Sequence, residues 1–152
     1  MLYYKHEKAS ANDIELSFQI NRLSYTSRAN EFTIVDIAGI ILDNAIESSM
    51  PRDTIFVVIG DNDIQSFSIT VKNPGPEATQ DFIKQIFSEN YTSKKEKEAH
   101  GLGLPSLKTM VAKHHGQIEL ENESIISEQD EEVRYLVIRV AVYPPGCSFT
   151  YF

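Results

Sequence analysis

The sequence contains one cysteine, Cys147, so no disulfide can form within the chain. Disulfides are rare in reducing compartments, and a chain nearly free of cysteine is typical of the cytoplasm. No apolar run approaches the roughly 18 residues from which a membrane-spanning helix is built. The first ten residues, MLYYKHEKAS, lack the apolar core of a signal peptide. We expect a cytoplasmic location and no direct membrane contact by this chain.

Basic residues are also scarce. The chain has 14 lysines and arginines against 22 aspartates and glutamates, and its formal net charge is −8. Nucleic acids are bound through basic surfaces that contact phosphates, so this balance argues against a nucleic-acid partner. The remaining composition is ordinary, because 152 residues with 41% hydrophobic side chains suffice for one globular domain with its own core.

The apolar residues follow two different spacings along the chain. Alternating or dense β-branched runs predict five strands, at residues 14–23, 54–59, 64–73, 117–122 and 133–143. Spacings of three or four residues predict three helices, at residues 33–49, 78–87 and 102–115, the last with Gly116 as its C-cap. Helices do not alternate strictly with strands, which favours an α+β fold: a mixed, mostly antiparallel sheet with about three helices packed on one face.

The first predicted helix carries a narrow stripe that differs from its apolar remainder. In a helical projection Asp36, Ile40, Asp43, Asn44 and Glu47 fall within about a quarter of the circumference. A helix that is apolar elsewhere lies in the core, so the stripe faces either water or a functional site. An asparagine among acidic residues suits Mg²⁺, which prefers oxygen ligands.

Two further segments admit a plain and a functional interpretation. Asn73 ends a predicted strand and is followed by Pro74 and Gly75, either as an ordinary turn or to hold a planar ligand. Gly101 and Gly103 precede the last helix, either as hinges of a charged loop or to let a phosphate approach the helix N-terminus. Four basic residues lie just upstream in this acidic chain: Lys94, Lys95, Lys97 and His100.

The order of these segments, DIAGIILDNAIES, VKNPGP and then FSENYTSKK followed by HGLGL, resembles the ATP-binding catalytic domain of histidine kinases. That domain belongs to the superfamily of gyrase, MutL and heat-shock chaperone ATPases, whose fold is the Bergerat α/β sandwich. LDNAIE and the YTSK…GLGL pattern are most similar to the Agr/Com-type receptor kinases of peptide quorum sensing. The resemblance covers about residues 13–143 and implies ATP and Mg²⁺ as ligands.

The resemblance also assigns roles residue by residue. Asn44 matches the asparagine that binds Mg²⁺ in the family. Asn44 and Lys94 are the implied catalytic residues. Asn73 stands where the family has an aspartate that reads the adenine amino group. The residues implied in nucleotide binding are Asn44, Asn73, Gly75, Phe87, Thr92, Ser93, Lys94, His100, Gly101, Leu102, Gly103 and Leu104. The polar loop 88–101 then corresponds to the ATP lid.

Some positions depart from the family pattern. Asn73 is neutral where an aspartate is usual, although its carbonyl oxygen still accepts a hydrogen bond. Ile40 stands where related ATPases carry the glutamate that activates water, and it cannot act as a base, which argues against efficient hydrolysis. Glu47 replaces a lysine that contacts phosphates in many kinases, and Glu77 replaces a glycine.

The expected reaction transfers the γ-phosphoryl group of ATP to a histidine on a separate dimerisation domain, and a response regulator is served indirectly. His6, His114 and His115 do not match such an acceptor. We therefore expect residues 1–12 to be a linker from, or the tail of, a preceding dimerisation and phosphoacceptor region, and residues 13–152 to be the catalytic domain. The full-length protein is expected to be a membrane-anchored receptor kinase, and this chain to bind ATP with little autophosphorylation.

Two alternatives remain open on the sequence. In the first alternative the chain is a free-standing serine kinase of the anti-sigma type. Phosphorylation of a serine on a partner protein would reveal it. In the second alternative it is a degenerate, non-catalytic module of the same fold that binds other proteins. The departures from the family pattern at Ile40, Glu47 and Asn73 motivate this alternative. Absence of nucleotide binding would select the module.

Overall fold

We obtained a computed structural model of the chain, which describes residues 2–21, 31–61, 67–88 and 103–142. These residues form four helices, α1 (Leu2–Ala11), α2 (Glu31–Ser48), α3 (Gln80–Ile86) and α4 (Leu104–Lys113). They also form five strands, β1 (Glu15–Ile20), β2 (Thr54–Asp61), β3 (Phe67–Pro74), β4 (Gln117–Ile126) and β5 (Glu132–Val142).

The five strands build one sheet in the order β1-β2-β3-β5-β4. β1 runs parallel to β2, and the other three neighbouring pairs are antiparallel. Both predicted hairpins are present, β2 with β3 and β4 with β5. The predicted α+β class with a mixed, mostly antiparallel sheet is therefore confirmed.

The register of the central strands explains the core. Ile69 pairs with Val140 and Val71 with Ile138, so alternate residues of β3 and β5 line one face of the sheet. All four helices contribute side chains to the single cluster on that face. Helix α2 contributes most, and its residues Ile37, Ile41 and Leu42 are each 0% exposed. The predicted core helix is thus confirmed, and it fixes the polar positions on its own surface.

The first twelve residues differ from the sequence expectation of a linker, because residues 2–11 form helix α1, a fourth helix beyond the three predicted. Ala9 and Lys5 of this helix are only 1% and 7% exposed. Its apolar spacing is hard to see in the sequence because a lysine occupies an inward-facing position. Lys5 reaches a carboxylate of α2, so its charge is paired there. The connection of α1 to a preceding domain stays a prediction.

The helix ends are set by local hydrogen bonds. Helix α3 starts at Gln80, later than predicted, because the Thr79 hydroxyl accepts the Phe82 backbone N–H at 3.1 Å and caps the helix. The predicted C-cap of α4 at Gly116 is wrong. His114 is the C-cap, and the left-handed residue is His115, with φ of 53°.

Gly116 is required for space instead. A Cβ atom added there would lie 2.3 Å from the Ala141 carbonyl oxygen and 2.9 Å from Cγ1 of Val111. The backbone N–H of Gly116 also donates to the Val111 carbonyl at 2.9 Å. The chain therefore leaves α4 and enters β4 in direct contact with β5, where no side chain fits.

Two glycine substitutions should have opposite effects. Gly116→Ala should lower the free energy of unfolding by about 2–3 kcal/mol, because the added methyl group overlaps a backbone oxygen. Gly39→Ala should raise it by up to about 1 kcal/mol, because alanine favours a helix interior. A Cβ at Gly39 meets no atom within 4 Å. Urea unfolding followed by circular dichroism measures both. Equal stability of the two variants would contradict the close contact at Gly116.

Candidate functional site

Asn73 lies at the end of β3, in the middle of the sheet, and is only 1% exposed. Buried amide groups are costly unless both ends are hydrogen-bonded. Its Nδ2 donates to the Ser48 hydroxyl at 3.3 Å and to the Pro74 carbonyl at 3.0 Å. Within the part of the chain that the structure describes, Oδ1 of Asn73 is the one buried side-chain polar atom without a hydrogen-bond partner. The arrangement suits a ligand that presents an N–H donor, as the adenine amino group does.

Gly75 lies next to this amide. An added Cβ would approach Cβ of Leu136 to 3.0 Å and Nδ2 of Asn73 to 3.7 Å. The Gly75 N–H donates to the Arg134 carbonyl at 3.2 Å, which ties the segment after β3 to β5. Glycine at this position therefore lets the backbone pass close to β5 beside Asn73, while its role beside a ligand stays a prediction.

Asn44 lies one helical turn before Ser48, near the end of α2, and is half-buried. The Ser48 hydroxyl donates to the Asn44 carbonyl at 2.7 Å while it accepts from Asn73. This hydroxyl thus joins the last turn of α2, which follows Asn44, to the strand that carries Asn73. The Asn44 side chain forms no hydrogen bond with any described residue, so its amide oxygen is free to bind a ligand.

The acidic part of the α2 stripe contacts α1. The Asp43 carboxylate lies 2.5 Å from the Lys5 ammonium and 3.0 Å from that of Lys8, and Lys8 lies 3.7 Å from the Glu47 carboxylate. Burial alone would raise the pKa of Asp43. The hydrogen bonds and charges of the two lysines outweigh burial, so this pKa is below its ordinary value.

The residues of the stripe therefore lie in different environments, which the sequence did not distinguish. Asp43 and Glu47 pair with a neighbouring helix, Asp36 is exposed, and Ile40 is 7% exposed within the core. Among the described residues, no three histidine, cysteine, aspartate or glutamate side chains cluster in a way that could hold a metal ion. The role of Asn44 as a Mg²⁺ ligand stays a prediction.

The start of α4 and the end of α3 hold three more predicted residues. Gly103 is the N-cap of α4 and makes no side-chain cap, while its carbonyl accepts N–H groups from Ser106 and Leu107. Leu104 is 1% exposed and packs in the core, so only its backbone remains for a ligand. Phe87 caps the end of α3, half-buried against the core. The predicted residues Thr92, Ser93, Lys94, His100, Gly101 and Leu102 lie outside the described residues.

Comparison with known proteins identifies the family. The sequence profile described as histidine kinase-, DNA gyrase B-, and HSP90-like ATPase matches residues 29–144. The chain belongs to this family. The resemblance on which the sequence interpretation rests is confirmed, while its Agr/Com-type subclass stays a prediction.

The curated proteins to which the chain is similar include two that are named as sensor kinases. The chain is 29% identical over 96 residues to the adaptive-response sensory kinase SasA of Gloeothece citriformis, covering 62% of this chain and 24% of that protein. It is 25% identical over 87 residues to the probable sensor kinase SilS of Salmonella typhimurium, covering 55% of this chain and 17% of that one. The chain thus spans a quarter or less of the curated relatives it matches.

Solved structures share the fold. The catalytic domain of histidine kinase ThkA superposes with a TM-score of 0.71 at 21% identity, covering 93% of this chain and 86% of that one. The mycobacterial sensor histidine kinase MprB gives a TM-score of 0.67 at 18% identity, covering 94% and 90%. In the described part of this ATPase-family chain, no helix is long and apolar enough to cross a membrane.

The sequence did not indicate a role for Ser48 or for the two lysines of α1, Lys5 and Lys8. Ser48 follows Asn44 by four residues, and a serine at that spacing often donates to the preceding turn of its helix, so a local signal existed. Lys5 and Lys8 are spaced by three residues and therefore share one face of a helix. Their partner Asp43 is 38 and 35 residues away, and no local pattern indicates that contact.

The pairing of Asp43 should make stability depend on pH. Because its pKa is lowered by folding, its ionised form stabilises the fold at neutral pH, and that contribution is lost as the pH falls through the folded-state pKa. Asp43→Asn should lower the free energy of unfolding at pH 7 by about 1–3 kcal/mol. The difference in free energy of unfolding between Asp43→Asn and the unaltered chain should become smaller at pH values well below 3.8, the ordinary pKa of aspartate.

Urea titrations at several pH values measure this dependence. Glu119→Gln is the control, since Glu119 forms a more exposed ion pair with Arg139 at 3.4 Å. Glu119→Gln should change the free energy of unfolding by less than about 1 kcal/mol at every pH. A loss at Asp43→Asn that is the same at acid and neutral pH would contradict the ion-pair account.

Proposed function

We propose that this chain is the ATP-binding catalytic domain of a sensor histidine kinase, of the Agr/Com type. Its role is to hold ATP with Mg²⁺ so that the γ-phosphoryl group passes to a histidine on a separate dimerisation domain. The observation that carries the proposal is the buried, unpaired Oδ1 of Asn73, whose Nδ2 is bonded to Ser48 on the helix that carries Asn44. Membership of the ATPase family and the names of its curated relatives agree with it.

Each residue of the site has a defined task under this proposal. Oδ1 of Asn73 accepts a hydrogen bond from the adenine amino group, and Gly75 leaves room beside it. Asn44 supplies an amide oxygen to Mg²⁺, which neutralises phosphate charge when bound. The backbone N–H groups at the start of α4 bind the phosphates, and Lys94, His100 and Gly101 have the same proposed task. Phe87, Thr92, Ser93, Leu102 and Leu104 complete the nucleotide site.

Transfer rather than hydrolysis is proposed because the position one turn before Asn44 holds no base. Ile40 lies one turn before Asn44 and is buried in the core. An aliphatic side chain cannot take a proton from water. Phosphoryl transfer needs mainly positioning and charge neutralisation, which the remaining residues supply.

The phosphate acceptor is proposed to lie on a dimerisation domain of the same full-length kinase, which α1 would join. His6 of α1 lines an open cavity of about 350 Å³ with Ser10, Arg52 and Asp53, among others, and none of the cavity's residues belongs to the nucleotide site. His114 and His115 end α4. We further propose that a response regulator is served indirectly, that the domain is cytoplasmic, and that the whole protein is anchored in a membrane.

A second candidate function is a non-catalytic interaction module of the same fold. Glu47 stands where many kinases have a lysine that contacts phosphates. The Glu47 carboxylate faces Lys8 of α1. This arrangement supplies no positive charge to a phosphate. Nucleotide binding separates the two candidates, because the module does not require it.

Calorimetric titration with a non-hydrolysable ATP analogue, with and without Mg²⁺, tests the proposal. The intact chain should show saturable binding that is tighter with Mg²⁺. Asn44→Ala should weaken the Mg²⁺-dependent binding about 10- to 100-fold, because a ligand to a charged group is lost. Asn12→Ala is the control, since Asn12 is an exposed asparagine at the end of α1 that donates to the Lys8 carbonyl. Absence of binding by the intact chain would favour the interaction module.

The isolated chain should incorporate little phosphate from γ-labelled ATP, since His6, His114 and His115 do not match an acceptor. The measurement is label retained on the protein, before and after mild acid, because phosphohistidine is acid-labile and phosphoserine is not. Strong acid-labile labelling of the isolated chain would contradict the separate acceptor domain. Acid-stable labelling of a partner protein would favour a serine kinase.

A further inference from the structure

The amide of Asn73 has two ends with opposite hydrogen-bonding character. Oδ1 only accepts, and Nδ2 only donates. An aspartate would present acceptors at both ends, whereas an asparagine accepts or donates toward a ligand according to its rotation. If the nucleotide site proposed above is correct, the orientation of this amide decides which base it recognises.

The Pro74 carbonyl favours one orientation. It lies 3.0 Å from Nδ2 and can only accept a hydrogen bond. Rotating the amide by a half-turn would bring Oδ1 against this carbonyl oxygen, and two acceptors would repel each other. A carboxylate at position 73 in the same side-chain orientation would place an oxygen against this carbonyl as well.

Ser48 favours the same orientation from the other side. A hydroxyl has one proton, and that of Ser48 points to the backbone of its own helix, 2.7 Å from the Asn44 carbonyl and 3.4 Å from the Ala45 carbonyl. With its proton engaged there, the oxygen presents only lone pairs to Asn73, and it accepts from Nδ2 at 3.3 Å. Ser48 therefore disfavours Oδ1 in the place that Nδ2 occupies.

We propose that Ser48 is a positioning residue that sets the purine preference of the site through the amide of Asn73. With Nδ2 held by Ser48 and Pro74, Oδ1 is the only free end. It matches a base that carries an amino group at position 6, and it repels one that carries an oxygen there. The preference for adenine over hypoxanthine thus depends on a hydroxyl that need not touch the nucleotide.

The test compares binding of ADP and IDP, each with Mg²⁺, by calorimetry. The two nucleotides differ at position 6, where IDP has an oxygen in place of the amino group, and in the proton on N1. The unaltered chain should bind ADP about 10- to 100-fold more tightly, because IDP leaves Oδ1 unpaired against another acceptor. Ser48→Ala should reduce this ratio about fivefold, since one hydrogen bond that fixes the amide is lost.

The neighbouring serine provides a matched control. The Ser49 hydroxyl also donates to the Ala45 carbonyl, at 2.7 Å, but it makes no described contact with Asn73. Ser49→Ala should leave the ADP to IDP ratio unchanged, and Ser48→Thr, which keeps the hydroxyl, should restore it. Ser48 is exposed, so neither change at this position should unfold the chain.

The outcomes separate this inference from the proposed function. If the unaltered chain binds neither nucleotide, both the inference and the nucleotide site are wrong. If it prefers ADP and Ser48→Ala behaves like Ser49→Ala, the nucleotide site stands and the role of Ser48 is refuted. Equal weakening of ADP and IDP by Ser48→Ala would also refute it, because a purely structural role does not change the ratio.

Discussion

The packing of α2 against the sheet and α4 is the interaction on which the rest of the structure depends. Ile37, Ile41 and Leu42 are removed completely from water. Burying side chains of this size contributes about 1.5–3 kcal/mol each, which is large beside any single polar contact in the site. Because these residues fix both the rotation and the height of the helix, they also fix Asn44 and Ser48 on its remaining surface.

Asn73 shows how the same core accommodates a polar group. It occupies a strand position whose register partner is Leu136, among apolar neighbours. Two of its possible hydrogen bonds are made, while Oδ1 makes none. An unpaired buried acceptor costs about 1–3 kcal/mol. Selection for stability alone favours an apolar residue here, and the proposed nucleotide would complete the hydrogen bonding of the amide.

Helix α1 is held by a different kind of force. Lys5 and Lys8 meet the carboxylates of Asp43 and Glu47, and Ala9 adds an apolar contact. The side chains of Lys5 and Asp43 are 9% and 19% exposed, so solvent and salt screen this pair less than an ordinary surface pair. Asp43 directly precedes Asn44. The position of α1 is thereby tied to the helical turn that carries the proposed Mg²⁺ ligand.

The sequence by itself located most of the helices and strands and named the candidate residues, whose roles stay predictions. Periods of two and of three to four residues are local properties, and they located all five strands and the helices α2, α3 and α4. Helix α1 was missed because its inward-facing position is a lysine, whose burial depends on a carboxylate 38 residues away. The tertiary structure alone decided the strand order, the pairing of Asp43 with α1 and the orientation of the Asn73 amide. The strand order and the pairing of Asp43 depend on atoms far apart in the chain, which only the packed core brings together. The orientation of the amide depends on the adjacent Pro74 carbonyl and also on Ser48, 25 residues away.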